Sequence, residues 1–125
     1  MPASLQSLME AANSAVPRIS PEEAKSMVDS AEAVIVDVRD GAEVAKTGKA
    51  AGALHISRGL LEFKADPDAP SREPRLKEDK AVILYCGSGG RAALAGKTLQ
   101  DFGYEKVFNL GGFIDWANAG LPVED

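Results

Sequence analysis

The chain has 125 residues, 45% of them hydrophobic and 26% charged, which suits one globular domain and is too short for two ordinary ones. Its formal net charge of −5 argues against nucleic acid or an anionic membrane as a partner. A single cysteine cannot form an internal disulfide, and one cysteine with one histidine cannot make a usual zinc site, so we expect no metal and no cofactor. The first residues lack the pattern of a secretory signal, and no apolar stretch approaches the roughly 18 residues of a membrane span, so we expect a cytoplasmic protein without a membrane partner.

Apolar residues recur at helical spacing near the start of the chain, at Leu5, Leu8, Met9 and Ala12. This spacing predicts a short amphipathic helix, so we treat residues 1–16 as a helical extension of a domain that covers residues 17–125. The helix either packs on that domain or binds a partner. Packing is favoured, because apolar stripes usually belong to a core.

The next segment predicts a helix followed by a buried strand. Ser20 and Glu23 are spaced for a capping box around Pro21, which is a strong signal for a helix start. Residues 33–38 are mostly apolar and β-branched without alternation, which is typical of a strand in a parallel sheet. A helix followed by such a strand indicates an α/β domain.

Short elements are expected around that strand and beyond it. Arg18-Ile19 suggests a brief strand, and a long surface loop with three prolines covers residues 66–79. The other expected elements are a helical turn at 42–45, a loop at 48–53, a strand at 54–56 and a helix at 59–65.

Residues 81–94 are the most informative stretch. An apolar strand ends at Cys86, three of the next four residues are glycine, and a helical pattern starts at Arg91. After it we expect a helix to Gly103, a strand at 106–110, a turn at Gly111-Gly112 and a last helix at 113–119. Together the elements predict one α/β domain, with a small, mostly parallel sheet of about five strands flanked by helices.

The turn after Cys86 has the features of an anion site. Ligands bind at the carboxyl ends of strands in open α/β sheets, and the glycines permit positive φ, so successive backbone N–H groups can converge on one point. The following helix and Arg91 add positive charge. A thiol in this setting is expected to be a reactive thiolate rather than a buried structural group.

Three chemistries compete for this turn. Cysteine phosphatases resemble Cys-x5-Arg, whereas Cys86 to Arg91 is Cys-x4-Arg, and its smaller ring of N–H groups suits one sulfur atom better than a tetrahedral phosphate. A Gly-x-Gly-x-x-Ala pattern from residue 87 fits the dinucleotide fingerprint, but the strand at 107–109 lacks the acidic residue expected after it. Sulfur transfer through a persulfide needs one cysteine, a small ring of amides and no general base, and it fits these residues best.

Five short motifs occur in one order, namely Val36-Asp37-Val38-Arg39-Asp40 with Glu43, Gly48-Lys49-Ala50-Ala51-Gly52-Ala53, Arg58-Gly59-Leu60-Leu61-Glu62-Phe63, Cys86-Gly87-Ser88-Gly89-Gly90-Arg91-Ala92, and Leu110-Gly111-Gly112-Phe113-x-x-Trp116 with Gly120-Leu121-Pro122-Val123. With them the chain resembles the single-domain rhodaneses, a sulfurtransferase family, over roughly residues 18 to 123. The resemblance implies a rhodanese-like fold, with Cys86 as the nucleophile that becomes a persulfide. It also implies that N–H groups of residues 87–91 hold the sulfur and that Arg91 favours anionic donors such as thiosulfate.

On this resemblance we predict that Cys86 is the catalytic residue, and that the donor is bound by Gly87, Ser88, Gly89, Gly90 and Arg91. Gly87 stands where the family often has arginine, so one positive charge is missing from the mouth of the site. Lys49 stands where the family often has histidine, and it would partly restore that charge if it faces the site.

Other polar residues are weaker candidates. Asp37 and Arg39 are possible pocket residues, although a structural turn with an ion pair is the favoured interpretation. His55 invites comparison with a Cys–His dyad, but a histidine on a short apolar strand is more often simply packed.

The sequence therefore predicts a sulfurtransferase that moves a sulfane sulfur through a Cys86 persulfide. Thiosulfate or a persulfide would be the donor, and cyanide or a thiol would be the acceptor. The alternative is a carrier or sensor module that holds the persulfide for a sulfur-accepting partner protein and turns over little alone. Gly87 and the N-terminal helix leave this alternative open.

Overall fold

A computed structural model describes residues 2–125; Met1, at the start of the predicted extension, lies outside the described residues. The helices are α1 (Leu5–Ala15), α2 (Pro21–Asp29), α3 (Gly41–Thr47), α4 (Leu61–Ala65), α5 (Gly90–Asp101) and α6 (Phe113–Asn118), with a 3-10 turn at Arg58–Leu60. The strands are β1 (Ala33–Asp37), β2 (Lys49–Ala50), β3 (Leu54–His55), β4 (Ala81–Cys86), β5 (Val107–Gly112) and β6 (Val123–Glu124). No helix of residues 2–125 is long and apolar enough to cross a membrane.

The main sheet has four parallel strands in the order β3-β1-β4-β5, which confirms the α/β prediction. It is smaller than the sheet of about five strands that we expected. The brief strand expected at Arg18-Ile19 is only an isolated parallel bridge between Arg18 and Asn109. A single bridge does not extend the sheet, because the chain turns into α2 at Pro21.

Both faces of the sheet are covered by helices. Successive side chains of a strand point to opposite faces, so Val36 and Leu84 belong to the cluster with α4 and α5, while Ile35 and Ile83 belong to the cluster with α2 and α6. A strand buried on both faces has no polar face, which explains the continuous apolar runs in the sequence.

Two expectations about loops were wrong. Residues 48–53, expected as a loop, contain β2, which pairs antiparallel with β6 near the end of the chain. Gly111-Gly112, expected as a turn, belongs to β5, where the pairing with β4 shifts register between Leu84 and Tyr85. Strands of only two residues, and strands that end in glycine, have too few apolar residues to form a recognisable hydrophobic pattern.

The start of α2 confirms the predicted capping box. The Ser20 hydroxyl oxygen accepts from the Glu23 backbone N–H at 3.1 Å, and the Glu23 carboxylate accepts from the Ser20 N–H at 3.2 Å. Helix α1 packs along α5, and Val16 just after α1 joins the core on that face. The division at residue 16 stays a prediction.

Candidate active site

Cys86 is the last residue of β4, the strand with β1 on one side and β5 on the other. Its side chain is buried, 1% exposed. The register places Asp37 opposite His55 and Tyr85, and Cys86 opposite Gly112. The carboxyl ends of the four strands therefore meet at one edge, where ligands bind in open α/β sheets.

Two backbone amides hold the Cys86 sulfur. The Gly89 N–H donates to Sγ at 3.0 Å, and the Ala92 N–H donates at 3.4 Å. The loop of residues 86–91 is called here the Cys86 loop. It turns tightly around the sulfur because Gly89, just before α5, takes φ +105°. Ala92 lies one residue beyond the range that we predicted to hold the sulfur, since the third amide of α5 also reaches it.

Other amides of the loop remain available. Gly90 and Arg91 open α5, and their N–H groups have no acceptor among the described residues. The first amides of a helix lack partners within the helix and point toward its N-terminus. Gly87 and Ser88 are exposed, so the start of the Cys86 loop faces solvent.

Strand β5 supports the loop from one side through its glycines. A Cβ on Gly112 would lie 2.2 Å from the carbonyl oxygen of Gly87, so only glycine allows the loop to rest on the strand. Sequence reasoning assigned Gly112 to a turn and missed this contact. The signal was present in the Gly-Gly pair at the end of an apolar run.

Asn109 is a second supporting residue that sequence reasoning missed. Its side chain is buried; Nδ2 donates to the Gly89 carbonyl oxygen at 3.0 Å, and Oδ1 accepts from the Gly111 N–H at 2.8 Å. It therefore fixes the Gly89–Gly90 peptide group, which joins the residue whose N–H contacts Sγ to the start of α5. A polar side chain inside an apolar strand was the available signal.

Arg91 is held by Glu43 at the edge of the loop. Nη1 and Nη2 donate to the two carboxylate oxygens at 2.6 and 3.0 Å, and both side chains are 38% exposed. Hydrogen bonds from Arg91 lower the pKa of Glu43 to about 2, and the same pairing raises the pKa of Arg91. Glu43 appeared in the sequence only as part of a motif, without a role.

Asp37 and Arg39 form a buried pair. The Arg39 guanidinium donates to both Asp37 oxygens, to Thr47 Oγ1 and to the Gly48 carbonyl oxygen at 2.8–3.1 Å, and it lies 4.6 Å from the centre of the Phe113 ring. Through these contacts the ion pair holds the segment after β1 in place. The pocket role suggested for the two residues has no support in their geometry.

Lys49 and His55 also bind groups other than Cys86. The Lys49 amine contacts the Glu124 carboxylate at 3.0 Å and the Ala53 carbonyl oxygen at 2.8 Å. Contrary to the expectation that it would be packed, His55 is exposed, and its Nε2 lies 2.8 Å from the Arg39 carbonyl oxygen. His55 lies on β3, one of the two edge strands of the sheet.

The chain is similar to known proteins in both sequence and fold. The model of the family described as Rhodanese-like domain matches residues 20–119, so the chain belongs to this family. A sulfurtransferase of Allochromatium vinosum is 36% identical over 98 residues, which are 78% of this chain and 83% of the relative.

Two solved structures share both fold and sequence with the chain. A polysulfide-sulfur transferase of Wolinella succinogenes, determined as a homodimer, is 34% identical with a TM-score of 0.76, covering 96% of this chain and 86% of that one. A Rhodopseudomonas palustris protein of unknown function, described as a possible tyrosine phosphatase, is 38% identical with a TM-score of 0.88, covering 99% and 96% of the two chains. The two descriptions name different chemistries, so the choice between them depends on the geometry of the site.

Proposed function

We propose that this protein is a sulfurtransferase in which Cys86 carries the transferred sulfur. In the loading step the Cys86 thiolate attacks the outer sulfur of a persulfide donor R–S–SH. The Sγ–S bond forms, the donor S–S bond breaks, and R–S⁻ leaves with the electron pair. In the discharging step cyanide or a thiolate attacks the outer sulfur of the Cys86 persulfide and restores the Cys86 thiolate.

The observation that carries this proposal is the pair of amides on Sγ, from Gly89 and Ala92. Preorganised N–H donors stabilise a sulfur anion and require no reorganisation during the reaction. The N–H groups of Gly90 and Arg91 are available for the second sulfur. The side chains of the Cys86 loop are small or committed elsewhere, so the main chain supplies the binding groups.

The geometry does not favour a phosphatase. A phosphate ester would need the loop arginine as a ligand, but both ends of the Arg91 guanidinium are bound to Glu43. The loop is also one residue shorter than the Cys-x5-Arg pattern of cysteine phosphatases. A ring of this size suits one additional sulfur atom.

Mass spectrometry of the intact protein tests the proposal. After incubation with glutathione persulfide or thiosulfate, we expect the wild type to gain the mass of one sulfur atom and the Cys86→Ser variant to gain none. A wild type that gains no mass with either donor, or that hydrolyses p-nitrophenyl phosphate through Cys86, would overturn it. Turnover with cyanide or a thiol acceptor then separates an enzyme from a carrier, which would load but discharge only to a partner protein.

A further inference from the structure

Three basic residues near the site pair with carboxylates. Arg91 pairs with Glu43, Arg39 with Asp37, and Lys49 with Glu124, at closest distances of 2.6, 2.8 and 3.0 Å. Arg18 packs on Gly89 from the side of β5, where its Nη1 would lie 3.0 Å from a Cβ on Gly89. The positive charge of Arg91, the arginine of the Cys86 loop, is therefore matched by a carboxylate.

The Arg91–Glu43 pair stands closest to the exposed part of the loop. A Cβ on Gly87 would lie 3.1 Å from Arg91 Nη2 and 3.8 Å from Glu43 Oε2. Gly87 follows Cys86 directly and is exposed. Glu43 thus places a negative charge beside the one arginine of the loop, at the entrance to the sulfur.

We infer that Glu43 determines which donors the site accepts, by cancelling the charge that would attract a dianion. The inference rests on the proposed sulfur transfer at Cys86 and names the substrate class: persulfides of the form R–S–SH, used in preference to thiosulfate. Neutralising Arg91 hardly weakens the binding of an uncharged S–SH group. For a dianion, it removes the attraction of a full positive charge at short range.

The two donors differ in charge but follow the same bond changes. With R–S–SH, the Cys86 thiolate takes the outer sulfur with its proton, and R–S⁻ leaves. With thiosulfate, the thiolate takes the outer sulfur, the S–S bond breaks, and sulfite leaves with the electron pair and two negative charges. Three negative charges then share the site in the thiosulfate reaction, against one in the persulfide reaction.

The experiment compares kcat/KM for the two donors, glutathione persulfide and thiosulfate, in the wild type and in Glu43→Gln. We expect the substitution to raise kcat/KM for thiosulfate about tenfold and to change the value for the persulfide by less than about threefold. The thiosulfate gain should shrink as the salt concentration rises, because salt screens the released Arg91 charge.

Two further variants control for unrelated effects. Glu43→Asp keeps the negative charge and should keep the wild-type preference. Glu62, on α4, is exposed and pairs with Arg58 of the 3-10 turn at 3.0 Å. Glu62→Gln removes this carboxylate and should change kcat/KM for neither donor. Melting curves of all variants report whether each one is folded.

Each outcome of these measurements either supports or contradicts the inference. Equal changes for both donors in Glu43→Gln, or a lower value for thiosulfate alone, would contradict the inference. If Glu43→Gln does not fold, a wild type that uses thiosulfate better than the persulfide overturns the inference, and a persulfide preference retained from low to high salt supports it. A wild type that forms no Cys86 adduct with either donor contradicts the proposed function itself.

Discussion

At the scale of single residues, main-chain groups touch the sulfur while side chains hold those groups in place. The amides of Gly89 and Ala92 contact Sγ. Asn109 orients the Gly89–Gly90 peptide group, and Gly112 leaves space for the carbonyl of Gly87. The geometry of the loop therefore depends on two residues of β5 that make no hydrogen bond to the sulfur.

Replacing Asn109 with leucine, which has a similar volume, tests this dependence. The Gly111 N–H would lose its partner in a buried place, so we expect the free energy of unfolding to fall by about 1–3 kcal/mol. The Gly89–Gly90 peptide group would also lose the hydrogen bond from Asn109 that fixes it, so kcat/KM for persulfide loading should fall about tenfold. Chemical unfolding and the rate of mass gain on the folded protein measure the two effects.

Asn118→Leu is the matched control, because Asn118 is exposed at the end of α6. It should load sulfur at the wild-type rate. Full loading activity in a destabilised Asn109→Leu protein would show that Asn109 is structural only.

The sequence was sufficient to predict the strand that ends at Cys86 and the turn and helix that follow it, but not the residues that support this turn. The spacing of Cys86, the glycines and Arg91 is local, and local patterns are visible in one sequence. The contacts of Asn109 and Gly112 join residues 20 and 25 positions apart, and they lie beside a register shift between β4 and β5 that leaves no periodic pattern in the sequence. Glu43 was similarly hidden, because its partner is Arg91 of another helix.

At the scale of elements, α5 is the helix on which the site and the N-terminal segment meet. The Ala92 N–H in its first turn contacts the sulfur, and Gly96 in its middle packs closely against Val16. A Cβ on Gly96 would lie 2.8 Å from Val16 Cγ2 and 3.2 Å from Val107 Cγ1. Gly96 is therefore required by close packing, although glycine is a poor residue for the interior of a helix.

We expect Gly96→Ala to destabilise the protein by about 1–3 kcal/mol, because overpacking outweighs the gain of roughly 1 kcal/mol in helix propensity. The double variant Gly96→Ala with Val16→Ala should be more stable than the sum of the two single effects predicts. Urea unfolding of the four proteins measures this coupling. Additive effects would mean that the two residues do not compete for the same space.

Elements with strong end signals or long periodic patterns were predicted well, and very short ones were not. The capping box of α2 and the apolar run of β4 each lie within a few neighbouring residues. Strands β2 and β6 have two residues each and pair across more than half the chain, with the Lys49–Glu124 ion pair between them. Neither strand carries a pattern that could indicate its partner.

At the scale of the whole molecule, the Arg91–Glu43 pair links the stability of the fold to pH. The pair lowers the pKa of Glu43 from an ordinary value of 4.5 to about 2 in the folded protein. Its stabilisation is present above pH 4.5, and it is lost as the pH falls toward 2. Since both side chains are partly exposed, solvent screening limits the effect to about 1 kcal/mol.

Glu43→Gln should therefore be less stable than the wild type at pH 6 and equal to it near pH 2. The measurement is the free energy of unfolding in urea for both proteins across that range, and the difference between them isolates Glu43 from the other carboxylates. A difference that stays constant with pH would show that the ion pair contributes nothing to this linkage.

The main-chain origin of the sulfur contacts has a consequence for how such a protein can change. Gly87 and Ser88 are exposed, and the contacts that hold Sγ come from the backbone of residues further along the loop. Under the proposed sulfur transfer, substitutions at the two exposed positions would alter recognition of donors and acceptors while the Cys86 sulfur keeps its surroundings. Selectivity and reactivity would then be encoded in separate atoms, and a designer could vary the first without rebuilding the second.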